Sequence, residues 1–263
     1  MKNCWIIGAS SGIGYELAIK FYKNGFNVIA SARTQKNLED LKQLNENDRQ
    51  NNQNNYGKLS IAVLDVEDEQ SINNAFEKIL NEYQKIDLVI FASALYERML
   101  LENFDLKLAK KIMHVNFDGF LNVLNSIYPF FKKNRQGHIA VIASVAGYSG
   151  LPQSMTYGAS KSALINLCEG IYPEMLSNNV HLTIINPGFV KTKLTAKNNF
   201  VMPFIIDANT ASDIIYKGLI KKKFEIHFPS KFTIILKFLR IIPYKFYLPI
   251  INKIFMDIKN NDK

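Results

Sequence analysis

Tyr157 and Lys161 lie four positions apart in the alanine-rich, largely apolar run of residues 156–167. Residues at positions i and i+4 share one face of a helix, so the phenol and the ammonium are expected to lie close together. A free phenol has a pKa of about 10, which is too high for an efficient base at neutral pH. A neighbouring ammonium favours the phenolate and lowers that pKa, so that the phenol can exchange a proton with a carbonyl or alcohol oxygen. A structural hydrogen-bonded pair is the alternative, and the rest of the chain has to decide between the two.

A glycine-rich turn follows the first predicted strand and opens into a helix, with the sequence Gly8-Ala9-Ser10-Ser11-Gly12-Ile13-Gly14. Glycines let the backbone turn tightly and approach a pyrophosphate, which binds at the positive N-terminal end of a helix. Tight packing of strand and helix is the alternative explanation for such a turn. Its place after the first strand of a strand–helix alternation favours dinucleotide binding.

The elements that must position these residues alternate between short apolar strands and helices. Near-continuous apolar strands separated by helices are typical of a parallel sheet that is covered by helices on both faces. The polar residues 45–55 are predicted to form a solvated loop. Strands are predicted at 3–10, 27–33, 58–66, 86–94, 137–144 and 180–188, and helices at 14–25, 34–44, 68–83, 106–131 and 156–175.

The motifs occur in the order and spacing of the short-chain dehydrogenase/reductase family. Besides the glycine turn and the Tyr-x-x-x-Lys pair, they include Ser144, thirteen residues before the tyrosine, and Asn-Pro-Gly at 186–188. The chain resembles this family over roughly residues 3–195. The resemblance implies a Rossmann-type, doubly wound parallel α/β sheet of about seven strands and a nicotinamide dinucleotide. It also implies hydride transfer between nicotinamide and a carbonyl or secondary alcohol, and a homodimer or homotetramer.

The resemblance divides the chain and assigns roles to four residues. Residues 1–195 are expected to form the dinucleotide-binding and catalytic core, and residues 196–263 a C-terminal lid and tail of the same domain. Tyr157 handles the proton and Lys161 holds the nicotinamide ribose. Ser144, at the end of the fifth strand, orients the substrate oxygen and stabilises developing charge. Asn116 matches the asparagine that anchors a water chain leading from the lysine.

The end of the second strand indicates which dinucleotide binds. An acid there would bond a ribose 2′-hydroxyl, whereas an arginine accommodates a 2′-phosphate. Arg33 stands there with no acid beside it, so we predict NADP(H) over NAD(H), a solvated surface arginine being the alternative. The residues expected to bind the cofactor are Gly8, Ser10, Ser11, Gly12, Ile13, Gly14, Arg33, Asp65, Val66, Ala92, Tyr157, Lys161, Pro187, Gly188, Val190 and Thr192.

One family position departs from the pattern. Ala92-Ser93-Ala94 stands where family members carry Asn-Ala-Gly, so the hydrogen bonds of the asparagine amide are missing. In one interpretation Ser93 substitutes as a donor and activity survives. In the other, cofactor binding is weakened and the protein is a non-catalytic NADP(H)-binding sensor or scaffold. The four retained residues of catalytic type favour the enzyme.

Composition limits the remaining function classes. A chain of 263 residues with 48% hydrophobic residues can bury the core of one large α/β domain. Two cysteines make neither a disulfide framework nor a metal site, and the four histidines are scattered without ligand spacing, so we predict no bound metal. The chain shows no signal-peptide pattern and no run of the roughly 18 apolar residues that a membrane span needs, so a cytoplasmic location is expected.

The C-terminal tail is both basic and apolar. Eight of the nine net positive charges lie beyond residue 216. On a helix the polar residues of this segment form one narrow stripe, and Pro243 is expected to break the helix before the stripe is complete. The stripe consists of Thr233, Lys237, Arg240 and Tyr244.

Three interpretations of residues 229–256 remain open. The segment caps a hydrophobic substrate, lies in a membrane interface with its basic residues on anionic headgroups, or forms a subunit interface. Residues 198–205 are predicted to form an apolar flap of the substrate pocket. The first two interpretations suggest a hydrophobic carbonyl or alcohol substrate. No nucleic-acid partner is predicted, because the charge accompanies an apolar segment and no recognition motif.

Overall fold

The structure is a computed structural model that describes residues 1–50, 55–198 and 200–261. Seven strands form one sheet in which all neighbouring pairs run parallel, so the predicted Rossmann-type sheet is confirmed. Two further short strands, β7 and β8, pair with each other in a separate sheet. The strands are β1 (Asn3–Ile7), β2 (Asn27–Ser31), β3 (Leu59–Ile61), β4 (Leu88–Phe91), β5 (Gly137–Ile142), β6 (Val180–Pro187), β7 (Val190–Lys191), β8 (Ile206–Asp207) and β9 (Glu225–Phe228).

Helices cover both faces of the sheet because its strands are apolar on both sides. Successive side chains of a strand point to opposite faces, so Trp5 and Ile7 of β1 join one core and Cys4 and Ile6 the other. The helices are α1 (Gly12–Lys23), α2 (Glu39–Gln50), α3 (Glu69–Tyr83), α4 (Leu106–Met113), α5 (Gly119–Asn134), α6 (Met155–Ser177), α7 (Ala208–Ile220), α8 (Ser230–Ile241) and α9 (Tyr244–Asn261). The first core includes side chains of α3, α5 and α6, and the second includes those of α1, α2 and α7.

The strand order creates a crevice at one edge of the sheet. The order is β3-β2-β1-β4-β5-β6-β9, so the chain leaves β1 toward one side and β4 toward the other. Ligands of open α/β sheets bind at such a reversal, outside the carboxyl ends of the strands. The backbone amides of Gly8 and Ala9 both donate to the Ser31 carbonyl, at 2.8 and 2.9 Å, and so fix the turn after β1 against β2.

The prediction of a loop at residues 45–55 is wrong for its first part, because α2 continues to Gln50. Residues 51–54 lie outside the described residues. Glu39 and Asp40 occupy the first turn of α2, where the helix dipole favours acidic side chains. A helix on the protein surface needs only one apolar stripe, so a polar sequence does not by itself exclude helix.

The C-terminal part of the chain completes the sheet. β9, which the sequence patterns did not predict, adds the seventh strand beside β6. α8 lies along this edge strand, where Lys237 forms an ion pair with Glu225. As predicted, α8 ends at Ile241, before Pro243, and α9 starts just beyond it. Among the described residues, no helix is both long and apolar enough to cross a membrane.

Candidate active site

A cleft of about 370 Å³ lies at the carboxyl edge of β1 and β4. The structure brings together in its walls all sixteen residues that the sequence predicted as cofactor-binding, together with Ser144. Asn116 does not line the cleft and is fully buried. The predicted residues around the cleft are Gly8, Ser10, Ser11, Gly12, Ile13, Gly14, Arg33, Asp65, Val66, Ala92, Tyr157, Lys161, Pro187, Gly188, Val190 and Thr192.

The glycine turn is packed so closely that Gly8 and Gly14 have no room for a side chain. Gly8 has a φ of +99°, and a Cβ there would lie 2.5 Å from the Ser93 nitrogen. A Cβ on Gly14 would lie 2.2 Å from the Gly8 carbonyl oxygen. At the start of α1 the Ser11 side chain caps no backbone amide, and no acid occupies the first turn. Unsatisfied amides at a helix N-terminus bind phosphate, so this end of the cleft fits a dinucleotide.

Arg33 lies exposed at the rim of the cleft, just beyond β2. Its guanidinium forms no ion pair with any residue that the structure describes, and so it is free to pair with an anion. Asp65, which also lines the cleft, accepts a hydrogen bond at 3.1 Å from the backbone amide of Glu67. The unpaired guanidinium of Arg33 can therefore bind a phosphate at the rim of the cleft.

Tyr157, Lys161 and Ser144 meet at the other end of the cleft. The first two lie on α6, and the Lys161 Nζ is 5.6 Å from the centre of the Tyr157 ring. Lys161 is 1% exposed, and its Nζ donates a 2.7 Å hydrogen bond to the Ile142 carbonyl at the end of β5. Ser144 follows β5, and its hydroxyl hydrogen-bonds to Tyr157. A phenol, an ammonium and a hydroxyl therefore converge where a substrate oxygen can bind.

The prediction that Lys161 lowers the pKa of Tyr157 is wrong for the protein by itself. Burial raises the pKa of Tyr157 to about 12, which outweighs the lowering by the hydrogen bond with Ser144. Burial also lowers the pKa of Lys161 to about 7. Loss of water disfavours the charged form of both groups, the phenolate as well as the ammonium. Tyr157 is therefore a neutral phenol at neutral pH, which is the form that donates a proton.

We expect the Lys161 amine to titrate near pH 7 in the protein without cofactor, well below its ordinary value of 10.5. NMR of isotope-labelled lysine measures this, and a Lys161→Met variant assigns the signal. The pKa of the Lys161 amine is lower in the folded protein than in the unfolded chain. Burial of this amine therefore lowers the free energy of unfolding most below about pH 7. This effect shrinks as the pH rises from about 7 toward 10.5. A lysine signal at position 161 that titrates above about pH 9 would contradict the prediction.

Asn116 braces the backbone near the site. It lies in a π-helical turn, His114–Asp118, between α4 and α5. Its amide nitrogen donates to the Leu95 carbonyl at 3.0 Å and to the Ser160 hydroxyl at 2.9 Å, and its oxygen accepts from the Leu95 amide at 2.7 Å. Asn116 thus ties the segment after β4 to α6, next to Lys161. π-helical turns occur frequently at functional sites.

Ser93 does not replace the hydrogen bonds of the missing asparagine. Its hydroxyl bonds to no other residue that the structure describes, although the residue lines the cleft. The backbone amide of Ala92 donates to the Ile7 carbonyl at 2.7 Å, which extends the pairing of β4 with β1 by one residue. This backbone hydrogen bond and the close contact with Gly8 hold the turn after β4 in place.

Sequence reasoning missed Tyr96, which covers the ring of Tyr157. Tyr96 is 8% exposed, and its ring meets that of Tyr157 edge-on, at 5.0 Å between centroids. Its hydroxyl donates to the Asn198 Oδ1 at 2.7 Å, and Lys197 donates to its carbonyl at 3.2 Å. Nothing local marks this tyrosine, since it lies in an irregular segment. Its position shortly after a strand's carboxyl end is the one signal that could have indicated it.

The predicted flap adjoins this region. Asn198 bonds to Tyr96, and Phe200 contacts Phe189 at 5.8 Å between ring centroids. Asn199, also part of the predicted flap, lies outside the described residues. Lys193 and Leu194, which no sequence motif had indicated as site residues, also line the cleft. In the described part of the chain, no three His, Cys, Asp or Glu side chains come together as metal ligands.

Known proteins show the same sequence pattern and the same fold. The model of the family described as short chain dehydrogenase matches residues 2–200. An uncharacterized oxidoreductase of Myxococcus xanthus is 27% identical over 242 residues, which cover 92% of this chain and 93% of that protein. The 3-oxoacyl-acyl-carrier-protein reductase of Thermotoga maritima is 32% identical over 201 residues, which cover 74% of this chain and 77% of that protein.

A solved structure has the same architecture. It is a short-chain dehydrogenase from Sphingobium yanoikuyae in complex with NADPH, with a TM-score of 0.76 at 19% identity. The match covers 87% of this chain and 88% of that one, and at this identity it shows the fold alone. From the family match and the identity to the Thermotoga protein, the chain belongs to the short-chain dehydrogenase family and is an NAD(P)-dependent oxidoreductase.

Proposed function

We propose that this protein is an NADP(H)-dependent oxidoreductase that interconverts a hydrophobic carbonyl compound and the corresponding secondary alcohol. The observation that carries the proposal is the convergence of Tyr157, Lys161 and Ser144 at one end of a cleft whose other end is the glycine turn. Residues 1–195 would hold the cofactor and the reacting groups, and residues 196–263 would enclose the substrate side.

The chemistry divides between the cofactor and the side chains. A bound nicotinamide supplies the hydride. Tyr157, kept neutral by burial, donates the proton to the carbonyl oxygen in the reductive direction. Ser144 donates a hydrogen bond to the same oxygen and stabilises the charge that develops there. Lys161 is placed to hold the nicotinamide ribose, and Asn116 holds the backbone segment beside it.

Apolar side chains around the reacting groups support a hydrophobic substrate. Leu95 and Leu194 line the cleft, and Tyr96 covers the ring of Tyr157. The name of the Thermotoga relative describes reduction of a 3-oxoacyl group, which is a carbonyl on an acyl chain. An apolar lining that excludes water would strengthen the hydrogen bonds that Tyr157 and Ser144 donate to the substrate carbonyl.

The exposed, unpaired Arg33 supports NADP(H) as the cofactor, as does the NADPH in the Sphingobium structure. We expect Arg33→Ala to weaken NADPH binding by about tenfold to a hundredfold, since a charge-assisted pair with the 2′-phosphate is lost. NADH binding should hardly change. Fluorescence titration with both cofactors measures the effect. Lys36→Ala, on an exposed lysine three residues away that does not line the cleft, is the matched control. Equal losses for NADPH and NADH would show that Arg33 does not select the cofactor.

The activity itself is tested by NADPH oxidation with aldehydes and ketones of increasing apolar chain length. We expect kcat/KM to rise with chain length, because each methylene that leaves water adds binding free energy. Tight NADPH binding without turnover of any carbonyl or alcohol would point instead to a sensor or scaffold. The proposed homodimer or homotetramer is tested on the same protein by sedimentation velocity.

A further inference from the structure

The outer face of α8 and α9 exposes large apolar side chains to solvent; we call it the tail face. Among the described side chains, six aliphatic and phenylalanine side chains of this face are more than half exposed. Monomeric soluble proteins rarely leave a contiguous apolar surface of this kind uncovered, and where they do it marks an interaction site. These side chains are Ile234, Ile235, Phe238, Ile241, Phe246 and Leu248.

The tail face points outward because the three residues of the polar stripe that lie on α8 bind to the rest of the protein. Thr233 is 0% exposed, and its hydroxyl lies 2.6 Å from the His227 Nδ1 on β9. Lys237 forms an ion pair with Glu225 on β9, one turn further along. Arg240 approaches Glu169 on α6, at 3.6 Å between Nη1 and Oε1. With these polar residues and Leu236 held against the sheet edge and α6, the helix turns its remaining large apolar side chains to the surroundings. These are Ile234, Ile235, Phe238 and Ile241.

Positive charge predominates on the two helices of the tail face. Residues 229–256 contain five basic side chains and no acidic one. Two of the five are in the inward ion pairs. The other three, Lys231, Lys245 and Lys253, are exposed and form no ion pair within the described chain. The surface therefore combines uncovered hydrocarbon with uncompensated positive charge.

An anionic lipid bilayer is the occupant that matches both properties. Apolar side chains enter the boundary between headgroups and acyl chains, while lysines pair with negatively charged headgroups. A second copy of the chain, related by a two-fold axis, would set the same basic residues against each other. We propose that the tail face binds the protein to the surface of membranes that contain anionic lipid.

The tail face adjoins the substrate side of the cleft. Phe232, on the first turn of α8, contacts Phe189 at 5.7 Å and Phe204 at 6.0 Å between ring centroids. Phe204 and Val201 of the flap are themselves 53% and 88% exposed. If the proposed oxidoreductase activity holds, this arrangement places the substrate entrance at the lipid surface, where a hydrophobic carbonyl concentrates.

Flotation of the full-length protein with phosphatidylcholine vesicles, with and without phosphatidylglycerol, tests the proposal. We expect flotation with the anionic vesicles and its decrease at high salt. The double variant Ile235→Ser and Phe238→Ser should partition at least about tenfold more weakly. Leu176→Ser, which removes an apolar side chain of similar exposure (55%) on α6, should not change partitioning.

The charges are tested separately. Lys245→Gln and Lys253→Gln should each weaken partitioning by about fivefold, whereas Lys133→Gln, on an exposed lysine of α5, should not.

Thermal unfolding and NADPH titration check that every variant is folded. Flotation that is equal for neutral and anionic vesicles, or unchanged in the tail-face variants, would overturn the proposal. A dimer in sedimentation that Ile235→Ser and Phe238→Ser dissociate, with no flotation of the wild type, would assign the face to a subunit interface. NADPH oxidation with a water-soluble aldehyde reports on the activity independently of lipid.

Discussion

Tyr157→Phe is expected to lower kcat for carbonyl reduction by about a thousandfold while NADPH binding is retained. The substitution removes one oxygen atom and keeps the ring that packs against Tyr96. The substrate oxygen then receives its proton from water, because the aligned donor has been lost. Single-turnover oxidation of bound NADPH with the best aldehyde of the series measures the chemical step, and fluorescence titration measures cofactor affinity.

Tyr172→Phe is the matched control for this result. Tyr172 lies on the same helix and packs against Phe224 at 4.5 Å between ring centroids. Its hydroxyl forms no hydrogen bond with a residue of the described chain, so its loss should leave kcat unchanged. A Tyr157→Phe protein that keeps more than about a tenth of the wild-type rate would assign proton transfer to another group.

Gly8→Ala is expected to weaken NADPH binding by at least about a hundredfold and to lower the free energy of unfolding by about 2–4 kcal/mol. The added methyl would lie 2.5 Å from the Ser93 nitrogen and 2.7 Å from the Ala92 carbonyl carbon, both of them backbone atoms. A φ of +99° is in addition strained for any residue with a Cβ. The turn therefore has to move, and with it the backbone that faces the cleft. Urea unfolding and NADPH titration measure the two effects.

Gly170→Ala is the control for the glycine substitution. Gly170 lies inside α6, and a Cβ there would meet no atom within 4 Å. Alanine should raise the free energy of unfolding by about 0.5–1 kcal/mol, since it restricts the unfolded chain and favours helix. If Gly8→Ala behaves like Gly170→Ala, the glycine turn is not the rigid cradle that the geometry indicates.

Burial determines the protonation state of Tyr157 in the protein by itself. Its phenol stays protonated because its pKa is raised to about 12, and Lys161 loses part of its charge near neutral pH because its pKa falls to about 7. Both changes arise from loss of water, which penalises phenolate and ammonium alike. A neutral phenol can donate a proton but is a poor base, and this holds before any cofactor contributes charge.

The sequence alone determined the features that involve only residues close to one another along the chain. The spacing of Tyr157 and Lys161 gives them adjacent positions on a helix, because helical geometry repeats every few residues. The glycines at 8, 12 and 14 mark a turn with no room for side chains. Apolar strands separated by helices predicted a parallel sheet covered on both faces, because strands that are apolar along their whole length are typical of such sheets.

Contacts between segments that are far apart in sequence became known only from the tertiary structure. The packing of Tyr96 on Tyr157, the addition of β9 as the seventh strand and the inward ion pair of Lys237 with Glu225 join residues that no local pattern relates. The same holds for the pKa values of Tyr157 and Lys161, since burial depends on everything that surrounds a group.

In the tail the sequence identified the polar stripe, but either face of an amphipathic helix can turn inward. The partners at Glu225, His227 and Glu169 turned the polar face toward the protein, because a buried or half-buried charge or hydroxyl is stable only where another element supplies its partner.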